Sequence, residues 1–100
     1  MTMFRHVVMM RLIPEATESD VRGITDALET LPAAIPEILS YSIGCDLGLA
    51  EDNFDICLVA DFSDQDGYET YSANAEHQAI IASLIRPLLA GRSAVQHVVD

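Results

Sequence analysis

One hundred residues make a single domain, spanning 1–100, and with half of them hydrophobic the chain can build one core. Sixteen acids against five bases give a formal charge of −11, which repels phosphate backbones and anionic lipid, so neither nucleic acid nor a membrane surface is an expected partner. All five bases are arginine, and the lack of lysine excludes Schiff-base catalysis and a P-loop.

In chain order, residues 3–12 form the first predicted strand, with β-branched Val7 and Val8 inside it and Pro14 after it. Thr17 to Asp20 resembles a capping box. Val21, Ile24, Leu28 and Leu31 then recur at helical spacing, predicting a helix over 18–31 that stops before Pro32. A second strand is expected over 38–47, a polar turn over 48–53, and a third strand over 54–62. The cluster Ser63, Asp64, Gln65, Asp66 supplies an N-cap for a helix starting near Asp64 and interrupted at Asn74. A further helical segment over 75–89 is disturbed at Pro87, and a fourth strand is expected over 93–99. This β-α-β-β-α-β order is the ferredoxin-like α+β arrangement, a four-stranded antiparallel sheet with helices on one face.

Period-two alternation assigns the sheet faces. Phe4, His6, Val8, Met10 and Leu12 share one face of strand 1, and Phe54, Ile56, Leu58, Ala60 and Phe62 share one face of strand 3. These form the helix-covered core. The opposite face carries Val7, Met9, Cys57 and Val59 between charged ends. Burying an aliphatic side chain is worth ~1.5–3 kcal/mol, so a second copy is expected to cover this patch and make a homodimer. Arg5 or Arg11 would then pair with Asp55 or Asp61 at the rim.

Cys45 and Cys57 form no metal or redox motif and are read as free thiols. No apolar run reaches the ~20 residues of a membrane span, and Arg5, His6 and Arg11 interrupt any secretory leader, so the expected setting is cytoplasmic. The three histidines lie far apart, none at ligand spacing with a carboxylate, so no metal is expected. Asp64, Asp66, Glu69 and Glu76 load the second helical region with negative charge, a field that disfavours anionic ligands in any pocket beneath it.

The runs Phe4-Arg5-His6-Val7-Val8, Ile35-Pro36-Glu37-Ile38 and Phe54-Asp55-Ile56-Cys57-Leu58-Val59-Ala60-Asp61-Phe62, followed by Tyr71 and His77, resemble the stress-responsive A/B barrel (Dabb) domain over essentially the whole chain. The resemblance implies a dimeric α/β barrel, in a family that includes plant stress-response proteins, a plant polyketide cyclase and many bacterial members without an assigned reaction. In its cyclase-like members, histidines in strands 1 and 3 and a tyrosine and histidine on the second helical region line a pocket. His6, Tyr71 and His77 match three of these positions. Ile56 stands where the strand-3 histidine would be, and Asn74-Ala75-Glu76-His77 replaces a His-Pro-x-His run, which implies altered or absent chemistry.

Two functions follow as expectations. One is a cofactor-independent cyclase, lyase or isomerase, with His77 as base, Tyr71 as hydrogen-bond donor and His6 beside them. Phe54, Ile56, Leu58, Val8 and Leu84 would form the apolar wall around a small hydrophobic carbonyl compound. The other is a non-catalytic dimer, a ligand carrier or stress-associated structural domain, in which His77 bonds across its helix and His6 is a satisfied core residue.

Overall fold

The computed structural model describes residues 2–100. Its elements run β1 (Met3–Leu12), α1 (Glu18–Glu29), a one-turn α2 (Leu31–Ala34), β2 (Ile38–Cys45), β3 (Ile56–Phe62), α3 (Gln65–Ala73), α4 (Ala75–Ile80) and β4 (Leu89–Val99). The sheet order is β2-β3-β1-β4, with every neighbouring pair antiparallel.

The helix starts have local causes. Thr17 Oγ1 accepts the Asp20 N–H at 3.1 Å while the Asp20 carboxylate accepts the Thr17 N–H at 2.9 Å, a reciprocal box that satisfies two otherwise orphaned donors of α1. Asp64 caps α3 through the Gly67 N–H at 2.9 Å. Asn74 ends α3 and caps α4 in turn, its side-chain oxygen accepting the His77 N–H at 3.1 Å. The interruption expected at Asn74 is therefore a cap that starts the helix carrying His77. α1 stops at Glu29, two residues before the expected limit, and Pro32 opens the separate turn α2.

Strand limits differ more. β4 starts at Leu89 instead of Ser93, because the helical segment ends early: a π turn (Ile81–Ile85) is followed by a 3-10 turn (Arg86–Leu88) containing Pro87. The freed residues pair with the far end of β1, where Leu89 meets Leu12 across a bulge. β2 ends at Cys45 and β3 begins at Ile56, leaving a longer loop than expected. That loop is tied by Asp46, whose carboxylate accepts from the Gly48 N–H and the Asn53 amide, with Gly48 at φ 78° in the left-handed region.

The register reproduces the two faces. Ile24, Leu28 and Leu31 from the helical layer pack on Ile56, Leu58 and Phe62 of β3, all 2% exposed or less. On the other face, Val7 pairs with Val59 and Val95, and Met9 pairs with Cys57. Met9 and Val95 are 39% and 54% exposed, so the chain itself leaves this apolar stripe uncovered. Of the expected rim pairs, Arg5 and Asp61 meet within one chain. Arg5 Nε and Nη2 donate to the Asp61 carboxylate at 2.7 and 3.0 Å, and Ser40 adds a third donor at 2.7 Å. Arg11 and Asp55 take other partners: Arg11 lies over the Phe54 ring, 4.4 Å from its centroid, and Asp55 accepts the Leu12 N–H at 2.7 Å. Both cysteines are free and exposed. No helix among the described residues is long and apolar enough to cross a membrane.

Candidate functional site

A cavity of about 160 Å³ lies between the inner face of the sheet and helices α1, α3 and α4. Its sheet wall is His6, Val8 and Met10 of β1 with Leu58 of β3, and its helical wall is Leu28, Tyr68, Tyr71, His77, Ile81 and Ile85. The π turn holding Ile81 and Ile85 belongs to this wall; such turns often sit at functional sites. The cavity reaches solvent beside exposed Gln78 and Arg92.

The three residues singled out for chemistry converge. The Tyr71 and His77 rings lie 4.2 Å apart between centroids, and His6 and Tyr71 lie 6.3 Å apart. Phe62, fully buried behind them, holds Tyr71 at 5.3 Å and Tyr68 at 5.9 Å. Of the expected apolar wall, Val8 and Leu58 line the cavity. Phe54, Ile56 and Leu84 do not. Ile56 is packed in the core at 1% exposure, and it and Phe54 border a separate groove beside the 46–55 loop. Leu84 lines another groove next to Ser19 and Gly23. His97 is exposed on the outer face opposite Arg5, away from the cavity.

Hydrogen bonds set the protonation of each imidazole. His77 Nδ1 lies 3.2 Å from the Ser72 carbonyl oxygen, which can only accept, so Nδ1 carries the proton and Nε2 is left with the lone pair. Gln78 Nε2 donates to the same carbonyl at 2.6 Å. His6 has the opposite tautomer: the Gln96 amide nitrogen donates to His6 Nδ1 at 2.8 Å, so neutral His6 carries its proton on Nε2. No buried side-chain nitrogen or oxygen among the described residues lacks a partner, so the two Nε2 atoms, which have no hydrogen-bond partner in the protein, are not sealed off, and both rings line the cavity.

Both rings are held neutral. Burial lowers the His6 pKa to about 4, helped by the Arg92 charge and by His77. Burial also lowers that of His77, reinforced by Arg92 and opposed by the Ser72 carbonyl. The site therefore holds one imidazole with an accepting Nε2 and one with a donating Nε2.

Tyr71 is 2% exposed, and its hydroxyl is 2.8 Å from that of Tyr41 on β2. Burial raises both phenol pKa values, so both stay protonated. Two protons share one hydroxyl–hydroxyl bond, which leaves one O–H free. When Tyr41 donates to Tyr71, the Tyr71 O–H is the free one and can point at a ligand.

Sequence reasoning missed Tyr41, Tyr68, Gln96 and Arg92. Arg92 and Gln96 share the parity of an inward strand face, the one signal available. Knowing that this face meets His6 and Met10 requires the β1–β4 register. Among the described residues no group of three or more His, Cys, Asp or Glu could hold a metal.

A ferredoxin-like sheet whose own helices roof a small pocket, and whose outer face carries an apolar stripe that the chain leaves uncovered, defines a ferredoxin-like α+β class of domain. The chain belongs within it to the stress responsive A/B barrel domain family, whose model matches residues 4–99. A dimeric ferredoxin-like protein of unknown function from Thermobifida fusca is 41% identical over 98% of this chain and 92% of its own, with a TM-score of 0.89. A dimeric protein with a ferredoxin-like fold from Bacteroides fragilis is 22% identical over 95% of this chain and 94% of its own, TM-score 0.80. Hydroxynitrile lyase from Passiflora edulis shares the fold at 16% identity over 98% of this chain and 94% of its own, TM-score 0.85. No curated protein matches the chain in sequence.

Proposed function

We propose that the protein is a homodimer that takes up a small hydrophobic carbonyl compound between sheet and helices and moves a proton on it without a cofactor. The observation that carries this reading is the pair of opposite histidine tautomers facing one cavity. His77 Nε2 is an unprotonated base held in place by Ser72, and His6 Nε2–H is a neutral donor held in place by Gln96. In the proposed step, His77 removes a proton from the carbon next to the carbonyl. The bonding pair moves to the carbonyl oxygen as an enolate, which accepts hydrogen bonds from His6 and from Tyr71 backed by Tyr41. Return of that proton from His77 to another atom completes an isomerisation; attack of the enolate carbon on a second carbonyl forms a carbon–carbon bond, opens that carbonyl's π bond and leaves an alkoxide that takes the proton back from His77, an aldol-type ring closure whose reverse is a lyase step.

Size narrows the range. An engineered apolar cavity of about 150 Å³ takes up benzene, so this one of about 160 Å³ suits one ring or a short branched chain rather than an extended polyketide. The non-catalytic alternative requires only core and dimer face. The open cavity with two unpartnered imidazole nitrogens counts against it. The dimer part of the proposal is supported by the uncovered stripe of Met9 and Val95 and by the dimeric relatives.

The test is solvent exchange of α-protons on phenylacetone and 4-methyl-2-pentanone in D₂O, followed by proton NMR. The wild type should accelerate exchange and His77→Gln should lose that acceleration. Exchange no faster than in buffer, with the wild type folded, removes the catalytic reading.

A further inference from the structure

The helix roof of the cavity carries no charge, and neither do the β1 and β3 residues beneath it. The one formally charged residue lining it is Arg92 of β4. Arg92 pairs in register with Met10, so it sits on the same face as the cavity, four residues along the strand from the Gln96 that orients His6. In a chain with sixteen acids and five arginines, an arginine at a pocket has no shortage of potential carboxylate partners. Yet among the described residues the Arg92 side chain makes no ion pair and no hydrogen bond, whereas Arg5 is fully engaged by Asp61. The acids of α3 and α4 do not reach it. Asp64, Asp66, Glu69 and Glu76 are all exposed and none lines the cavity, so the field expected to repel anions is spent in water.

We propose that Arg92 is the anchor for the carboxylate of the ligand, so that a small oxo acid is taken up in preference to a neutral ketone. This deepens the proton-transfer reading and rests on it. A guanidinium presents a planar fork of N–H donors that matches a carboxylate, and the bond is charge-assisted. An oxo acid holds its ketone carbonyl within a few bonds of its carboxylate. Docking the anion on Arg92 at the mouth therefore directs the carbonyl and its acidic C–H inward, toward the two imidazoles. Burial, aided by the Arg92 charge, holds both imidazoles in the neutral form that the step needs. Phosphorylated ligands fit poorly, since one exposed arginine is the whole positive complement of the site.

The experiment is titration calorimetry with 4-methyl-2-oxopentanoate and phenylpyruvate, each beside its methyl ester, on wild type and Arg92→Gln. Arg92 is exposed and unpaired, so the variant should keep the wild-type melting temperature. Each acid should bind the wild type about tenfold more tightly than its ester, as one charge-assisted contact at a wet site implies, and Arg92→Gln should erase the difference by weakening the acids alone. Added salt should weaken the acids on the wild type and leave the esters unchanged, a readout that needs no variant. Acids and esters that bind alike, with no salt dependence, would overturn the anchor and leave the carbonyl-ligand reading standing. Failure of every probe to bind the wild type would overturn both.

Discussion

His6 should make the protein acid-sensitive by an amount that can be isolated. Its ring is 4% exposed, faces the Arg92 charge and the His77 ring across the cavity, and already uses Nδ1 to accept from Gln96. A proton added at Nδ1 breaks that bond and places a charge where water is scarce. In the unfolded chain the ring ionises near 6.5, in the fold near 4. Between these values the unfolded state binds the extra proton and the folded state does not, so stability is complete above about pH 6.5 and is lost as pH falls toward 4. The loss due to this one group reaches an upper bound of about 3 kcal/mol. Other groups also respond as the pH falls, so the quantity to measure is a difference. Urea denaturation of wild type and His6→Gln at one protein concentration, from pH 7 to pH 4, gives two stability curves. The wild type should start as the more stable protein and then lose about 2–3 kcal/mol relative to the variant across that range. Parallel curves would refute the reasoning, because they would mean that the fold accepts a charged His6 as readily as water does.

Three further outcomes follow from particular contacts. Tyr41→Phe removes the partner of a buried hydroxyl and should cost about 1 kcal/mol in equilibrium denaturation while weakening carbonyl ligands, since Tyr71 loses the donor that polarises its own O–H. Unchanged ligand affinity would detach Tyr41 from the site. Asn74→Ala removes the cap of the helix that carries His77 and should cost about 1 kcal/mol, with the ¹⁵N shifts of the His77 ring moving toward a tautomer mixture. A ring still locked in one tautomer would show that Ser72 alone is sufficient. Val59→Asp places a charge in the centre of the outer sheet face and should convert a wild-type dimer at micromolar concentration into monomer by sedimentation, with the cavity-side chemistry retained only in part. A wild type that sediments as a monomer would remove the dimer from the proposal.

Much of the fold was readable along the chain because its causes are local. Thr17 with Asp20, Asp64 and Asn74 mark helix starts with their own side chains. Period-two alternation in β1 and β3 assigns inner and outer faces before any partner strand is known. The exceptions are places where pairing overrode propensity. Leu89 read as the end of a helix and became the start of β4, since the far end of β1 offered ladder bonds that a helix broken at Pro87 could not match.

The site divides the same way. Residue type and position, together with the family resemblance, marked His6, Tyr71 and His77 as candidate chemistry-bearing side chains. Their tautomers were decided by Gln96, ninety residues from His6, and by a carbonyl exposed where α3 gives way to α4. Arg92, Tyr41 and the exclusion of Phe54 and Leu84 likewise came only with the tertiary structure. Local patterning determines which elements form and which faces are apolar. The direction of a proton and the charge at a pocket mouth depend on contacts between distant strands, which only the assembled sheet creates.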